Sequence, residues 1–268
     1  MTPLQRHQEV YLKREDNNLT GSTKDRAITL QVDKLISLGF KTAIISSTGN
    51  AAISADYYCF QKNIPLTVFV SPKVNPQKLL LITHSKIITT DKPISSAFKE
   101  SKNNQSYFLR QSTDPVALTG YSNIASELLE QLPKITSLFI PVGSGTTLLG
   151  ISQKLPTNVK IFAIQPASHC PISSLFDQQY QAESSTITDA LSAKLLPLKH
   201  KIVTAINISN GSGIVVQNND VAQIHHTLTN SGIITSPEGA LALAGYYKTK
   251  KTFDVGEYPV ILLTGNLR

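Results

Sequence analysis

The feature that most constrains this chain is a set of short, almost unbroken apolar runs, among them Ser137-Leu138-Phe139-Ile140-Pro141-Val142 and Pro259-Val260-Ile261-Leu262-Leu263-Thr264. A strand with one wet face alternates apolar and polar residues. A run that is apolar throughout suits a strand buried on both faces, as in a parallel sheet covered by helices. Strands are predicted at 42–47, 66–71, 86–90, 107–111, 137–142, 160–165 and 259–264. Segments of helical period lie at 24–38, 50–62, 76–84, 119–132, 146–155, 220–231 and 237–249. This alternation predicts an α/β fold with mostly parallel strands. The first helix places Ile28, Val32, Leu35 and Ile36 on one face, with Ser22 or Thr23 as N-cap, Asp25 in the first turn and Gly39 as the stop. Residues 168–213 carry no clear period, and no element is assigned there.

Composition narrows the function classes. With 268 residues, 41% hydrophobic and 16% charged, the chain can bury the core of one large or two modest domains and is too apolar for disorder. The net charge of +7 is spread along the chain without a basic run or an aromatic-basic pattern, so it favours small anionic ligands over nucleic acid. Cys59 and Cys170 are the only cysteines and neither has a metal-binding spacing. A disulfide framework and a metal site are not expected, and a reducing compartment fits. The start of the chain lacks the apolar core of a signal peptide, and no stretch reaches the roughly 18 apolar residues of a membrane span. A cytoplasmic protein is expected.

In an open parallel sheet, ligands bind at the carboxyl ends of the strands, so the turns that follow them are the places to look. Ser46-Ser47-Thr48-Gly49-Asn50-Ala51-Ala52 leads from a strand into a helix and offers backbone N–H groups and hydroxyls suited to a carboxylate or phosphate. Taken alone, it also reads as an ordinary strand-to-helix connection. Gly143-Ser144-Gly145-Thr146-Thr147 opens another helix with the same chemistry, and it matches neither the nucleoside-triphosphate phosphate loop nor the dinucleotide fingerprint. The third stretch, Gly21-Ser22-Thr23-Lys24-Asp25-Arg26, puts a lysine where a helix dipole disfavours a cation. That placement favours the neutral amine, which attacks aldehydes. A solvated lysine in an ion-pair-rich run is the plainer alternative.

Taken in order, these pieces resemble the fold-type II pyridoxal-phosphate enzymes, the tryptophan synthase β-like superfamily, and within it the threonine synthase and threonine/serine dehydratase branch. The resemblance rests on residues 11–26, 46–72, 127–151, 231–248 and 260–266, almost the whole chain. It implies a two-domain parallel-sheet fold with helices on both faces, a large cofactor-binding domain of residues 1–45 plus 123–268 and a small inserted domain of 46–122. The implied cofactor is pyridoxal 5'-phosphate. Lys24 would be the Schiff-base lysine and proton shuttle, and Asn50 would bond the cofactor's phenolic oxygen. Ser47, Thr48, Gly49, Asn50 and Ala51 would hold the substrate carboxylate. Gly143, Ser144, Gly145, Thr146 and Thr147 would cradle the cofactor phosphate, and Thr264 would face the pyridine nitrogen. A hydroxyl there leaves that nitrogen neutral, which suits elimination and replacement chemistry. A strand-end threonine of high β propensity is the competing reading of Thr264.

The resemblance further implies a lyase acting on a small hydroxy-amino acid or its phosphate ester, most like threonine synthase, with threonine/serine dehydratase or another β-replacement enzyme as the alternative and a homodimer as the assembly. In the run 111–120, Ala117 stands where the branch carries an arginine that grips substrate phosphate, so Lys13, Arg14 or Arg110 would have to supply that charge. Only 23 residues precede Lys24, so the elements usually found there are expected to be missing or reduced. A compact catalytic form and a degenerate cofactor-binding protein are both consistent with these departures.

Overall fold

A computed structural model describes residues 1–47, 49–72, 74, 79–191, 193 and 196–266. In chain order its elements begin with β1 Leu4–His7, β2 Val10–Arg14, α1 Lys24–Ser37, β3 Ala43–Ser46, α2 Asn50–Gln61, β4 Leu66–Val70, β5 Lys86–Thr89, α3 Pro93–Asn103 and β6 Tyr107–Phe108. They continue with α4 Pro115–Gln131, β7 Ser137–Pro141, α5 Thr146–Ser152, β8 Lys160–Pro166, α6 Lys199–Ile208, β9 Ser212–Val216, α7 Asn218–Asn230, α8 Pro237–Thr249 and β10 Pro259–Leu263. Two compact units result, one of Met1–Thr23 and Tyr121–Arg268 and one of Lys24–Gly120.

The first unit holds a six-stranded sheet in the order β1-β2-β10-β7-β8-β9. It is parallel throughout except for β1, which runs antiparallel to β2. Every residue of β7, β9 and β10 is buried, as the unbroken apolar runs require of two-sided strands. Phe139 of β7 stacks on Phe162 of β8 with ring centroids 4.7 Å apart, and Tyr246 of α8 meets Phe139 edge-on. Leu241 and Leu243 of α8 belong to the same core as Ile164, Ile261 and Leu263.

The second unit is a parallel four-stranded sheet in the order β5-β4-β3-β6. Ile28, Val32 and Leu35 of α1 pack with Ala43 and Ile45 of β3 and Ala52 and Ala55 of α2. Ile36, expected on that face, is 43% exposed. At 3.6 residues per turn it lies about 80° around the helix from Ile28, on the shoulder of the stripe. Gly39 ends the helix as predicted, at φ +79, where its N–H and that of Phe40 return to the carbonyls of Ile36 and Leu35.

The predicted domain junctions at 45/46 and 122/123 differ from the observed unit boundaries at 23/24 and 120/121. The cause is shared burial, because α1 and β3 close the same apolar core as α2 and β4. The predicted helix 76–84 begins outside the described residues. Five elements were not anticipated: β1, β2, α3, α6 and β9. β1 is an edge strand with no buried residue, so it has no apolar signature. β2 contains Lys13, which is 0% exposed because its ammonium donates to Glu127 (2.6 Å), Gln131 (3.0 Å) and the Thr2 carbonyl (2.9 Å). Among the described residues no helix is long and apolar enough to cross a membrane, and no group of three metal-ligating side chains is assembled.

Candidate active site

In the second unit, Lys24 is the first residue of α1 and is half-buried. Its neighbour Asp25 is buried, and Asp25 Oδ1 accepts a 2.7 Å hydrogen bond from Ser54 Oγ of α2. The start of α1 is thereby tied to the helix that follows the Ser46–Asn50 turn. Burial, followed by the Asp25 carboxylate, holds the Tyr58 phenol above its ordinary range.

The turn itself leaves β3 at Ser46 and reaches α2 at Asn50. Gly49 is the N-cap and has no side chain to satisfy the first-turn N–H groups, while its carbonyl takes those of Ala52 (2.9 Å) and Ile53 (3.3 Å). The N–H groups of Asn50 and Ala51 are therefore suited to an external acceptor, with Ser47 Oγ near enough to accept from the Gly49 N–H at 3.4 Å. Asn50 and Ser47 are half-buried and Ala51 is buried. Thr48, predicted for the same turn, lies outside the described residues.

In the first unit, Gly143 to Gly145 join β7 to α5. Gly145 caps α5 at φ +77, a left-handed conformation that costs an L side chain and suits glycine. Ser144 Oγ and Thr146 Oγ1 lie 3.0 Å apart, and the five residues Gly143, Ser144, Gly145, Thr146 and Thr147 carry three hydroxyls and no charge. Gly143 sits against a second segment, since a methyl group there would be 3.4 Å from both the Ala190 carbonyl and Leu191 Cδ2.

Thr264 follows β10 and is half-buried. Its carbonyl accepts from the Thr23 N–H at 3.0 Å and from Thr23 Oγ1 at 2.9 Å. Ser22 bridges Gly265, and the Asn266 N–H donates to the Gly21 carbonyl at 2.9 Å. The residue immediately before Lys24 is thus fixed twice to the carbonyl of the predicted ring-facing threonine.

Two supports were not anticipated. The Gly265 carbonyl accepts from the Ser236 N–H (2.8 Å) and from Thr235 Oγ1 (3.0 Å), which pins the start of α8 beside Thr264. Glu238, buried in the first turn of α8, accepts from the Ala190 N–H at 3.1 Å and so holds the segment against which Gly143 rests. The one available signal was Ser236-Pro237-Glu238 at a helix start, which reads as ordinary capping. A separate surface hollow of about 510 Å³, bordered by Tyr180, Gln217, Asp220 and Lys248, contains none of the predicted site residues.

The donor set fits pyridoxal phosphate. A neutral glycine-hydroxyl turn opening α5 suits a phosphate, a second turn with free amides suits a carboxylate, and an amine stands at the start of α1. These three turns are carried by two parallel-sheet α/β units, and the two-sheet architecture is that of the fold-type II pyridoxal-phosphate enzymes. The sequence model of the pyridoxal-phosphate dependent enzyme family matches residues 1–265, and the chain belongs to that family. It is 27% identical to a threonine synthase of Methanosarcina acetivorans, across 97% of this chain and 70% of that one. It is 22% identical to an L-threonine ammonia-lyase of Geobacter sulfurreducens, across 96% and 67%. Its fold is similar to that of maize serine racemase, with a TM-score of 0.88, 18% identity and coverage of 100% of this chain and 88% of that one.

Proposed function

We propose that this chain is a pyridoxal-phosphate-dependent lyase acting on a small hydroxy-amino acid or its phosphate ester, most like threonine synthase. The observation that carries the reading is Thr264 at the end of β10, flanked by Leu263, Gly265 and Asn266, so that the strand end itself carries no acidic residue. Pyridoxal phosphate, when bound, supplies an aldehyde that captures amines and a ring that withdraws electrons from the substrate's α carbon. Thr264 would meet the ring nitrogen with a hydroxyl and leave it neutral. Gly143, Ser144, Gly145, Thr146 and Thr147 would hold the phosphate through N–H and hydroxyl donors. Asn50 would steady the phenolic oxygen, and the Ser47, Gly49, Asn50 and Ala51 turn would orient the substrate carboxylate, with Thr48 completing it. Lys24 would be the amine that links to the cofactor, takes the α-proton and returns protons as the leaving group departs. The large cofactor domain, the small inserted domain, a homodimeric assembly and a cytoplasmic setting complete the reading.

The dehydratase reading is favoured by the fate of the cations that could grip a substrate phosphate. Lys13 is buried on Glu127, and Arg14 donates three hydrogen bonds to Asp16. Ala117 is fully buried, whereas Arg110 has no carboxylate partner among the described residues. Product analysis separates the two: threonine and phosphate from O-phosphohomoserine support the synthase, and a 2-oxo acid with ammonia from threonine or serine supports the dehydratase. Lys24→Ala should abolish turnover and borohydride-trapped labelling while leaving cofactor retention measurable. An unchanged rate in that variant refutes the assignment.

A further inference from the structure

β7 and β8 run parallel, with Pro141 opposite Ile164. The ladder continues normally for one more bond, the Val142 N–H donating to the Ile164 carbonyl at 2.9 Å. The parallel pattern would next give the Val142 carbonyl the N–H of residue 166. That residue is Pro166, which has none. Gln165 supplies the missing donor, its Nε2 reaching the Val142 carbonyl at 3.0 Å. The other end of the amide is occupied too, since Oε1 accepts from the Ile172 N–H (2.9 Å) and the Ser173 N–H (2.8 Å). Gln165 is 0% exposed, so its side chain is a buried bridge within the protein and meets no ligand itself.

The Val142 carbonyl belongs to the peptide that opens the glycine-hydroxyl turn. In a trans peptide the N–H points opposite to the carbonyl, so the bond that draws the Val142 oxygen toward Gln165 turns the Gly143 N–H the other way. Gly143 is half-buried, and its N–H has no acceptor among the described residues. The far end of the bridge borders the same turn, because Ile172 Cδ1 lies 3.9 Å from where a methyl group on Gly145 would sit. We infer that Gln165 is a positioning residue for this turn, replacing the ladder donor lost at Pro166 and so aiming the Gly143 N–H at the cofactor phosphate. The inference rests on the proposed role of Gly143 to Thr147 as the phosphate cradle. An N–H held in place before binding loses little freedom when the anion arrives, which is where the affinity would come from.

The test compares pyridoxal phosphate with pyridoxal, which lacks the phosphate, by equilibrium dialysis against the apo-protein. Gln165→Met, neutral and similar in volume, should raise the dissociation constant for pyridoxal phosphate about tenfold and leave that for pyridoxal unchanged. Adding Pro166→Ala returns to β8 the N–H that the parallel pattern requires, and the double variant should recover the wild-type preference. An unchanged constant for pyridoxal phosphate in Gln165→Met, an equal loss for both compounds, or a selective loss that Pro166→Ala leaves in place overturns the inference. Should Gln165→Met not fold, Gln165→Glu, whose carboxylate keeps the acceptors for Ile172 and Ser173 but donates nothing when ionised, is read against the same outcomes. The wild-type protein separates the two assignments. If it binds both compounds equally, the phosphate reading of the turn falls and the inference falls with it. If it prefers pyridoxal phosphate and Gln165→Met keeps that preference, the turn stands and only the Gln165 assignment falls.

Discussion

Ser54 Oγ donates a 2.7 Å hydrogen bond to Asp25 Oδ1, and both residues are buried, at 0% and 4% exposure. The bond fixes the residue next to Lys24 against the second turn of the helix that begins at Asn50. Ser54→Ala should lower the unfolding free energy by about 1–2 kcal/mol, because the carboxylate loses a buried donor. With Lys24 as the proposed reacting amine, small misplacements are costly, so kcat should fall about tenfold with little change in KM. Denaturant titration and steady-state kinetics measure the two effects, and an unaltered kcat would show that the tie serves stability alone.

Gly145 should resist every substitution that adds a side chain. At φ +77 an alanine costs roughly 1–2 kcal/mol from backbone conformation alone. A methyl group there would also lie 2.0 Å from Ile202 Cδ1. Gly145→Ala should weaken cofactor retention about tenfold or more, and shrinking the neighbour with Ile202→Val should not restore it, because the backbone term remains. Fluorescence titration of the apo-protein with pyridoxal phosphate reads both variants.

Gly120 makes a different demand. Its backbone is unstrained, but an added methyl group would meet the Arg26 carbonyl oxygen at 2.1 Å and Ala27 Cα at 2.9 Å. Here α4 lies against the backbone of α1, which cannot retreat as a flexible side chain can. Gly120→Ala should cost several kcal/mol, on the order of a severe overpacking defect, and more than Gly39→Ala, where nothing lies within 4 Å and only the positive φ is opposed. Thermal unfolding of the two variants ranks them, and equal losses would contradict the close approach.

Asp114 predicts an acid limit. Burial acts to raise its pKa, but donors from Tyr107, Gln31 (2.9 Å), Lys34 (2.9 Å) and the Val116 N–H outweigh it, leaving the carboxyl below its ordinary value of 3.8. For an acid whose folded pKa is lowered, the stabilisation is present above the unfolded value and is lost as the pH falls through the folded one. The unfolding midpoint should therefore drop below pH 3.8, and Asp114→Asn should be less stable at neutral pH with a flatter acid limb. Unfolding curves at a series of pH values check this, and an identical acid limb in the variant would assign the loss to other carboxyls.

The parallel strands were legible because burial on both faces leaves an unmistakable composition, as in β7 and β10. The three turns were legible because small and hydroxyl residues collect where strands meet helices. Lys13 was read as a candidate phosphate grip because its partners, Glu127 and Gln131, lie more than a hundred residues away and nothing local announces them. The contact-based unit boundaries differ from the expected domain junctions for a related reason. Whether α1 belongs with the strand before it or the helix after it depends on which apolar faces meet, and a linear pattern records only that a face exists. Glu238 and Ser236 are residue types common at helix starts, and what distinguishes them is contact with Ala190 and Gly265.

The link from Glu238 through the Ala190 N–H to the backbone against which Gly143 rests bears on how such a turn could be transplanted. The five residues from Gly143 to Thr147 form a contiguous motif, yet their shape is propped by two distant stretches of chain. An engineer who grafts the motif onto another parallel sheet would carry over the donors without the buttress. The smallest portable module is three separated segments, and a lineage that alters residue 238 must find a new acceptor for the amide at 190 in the same step or accept a looser cup.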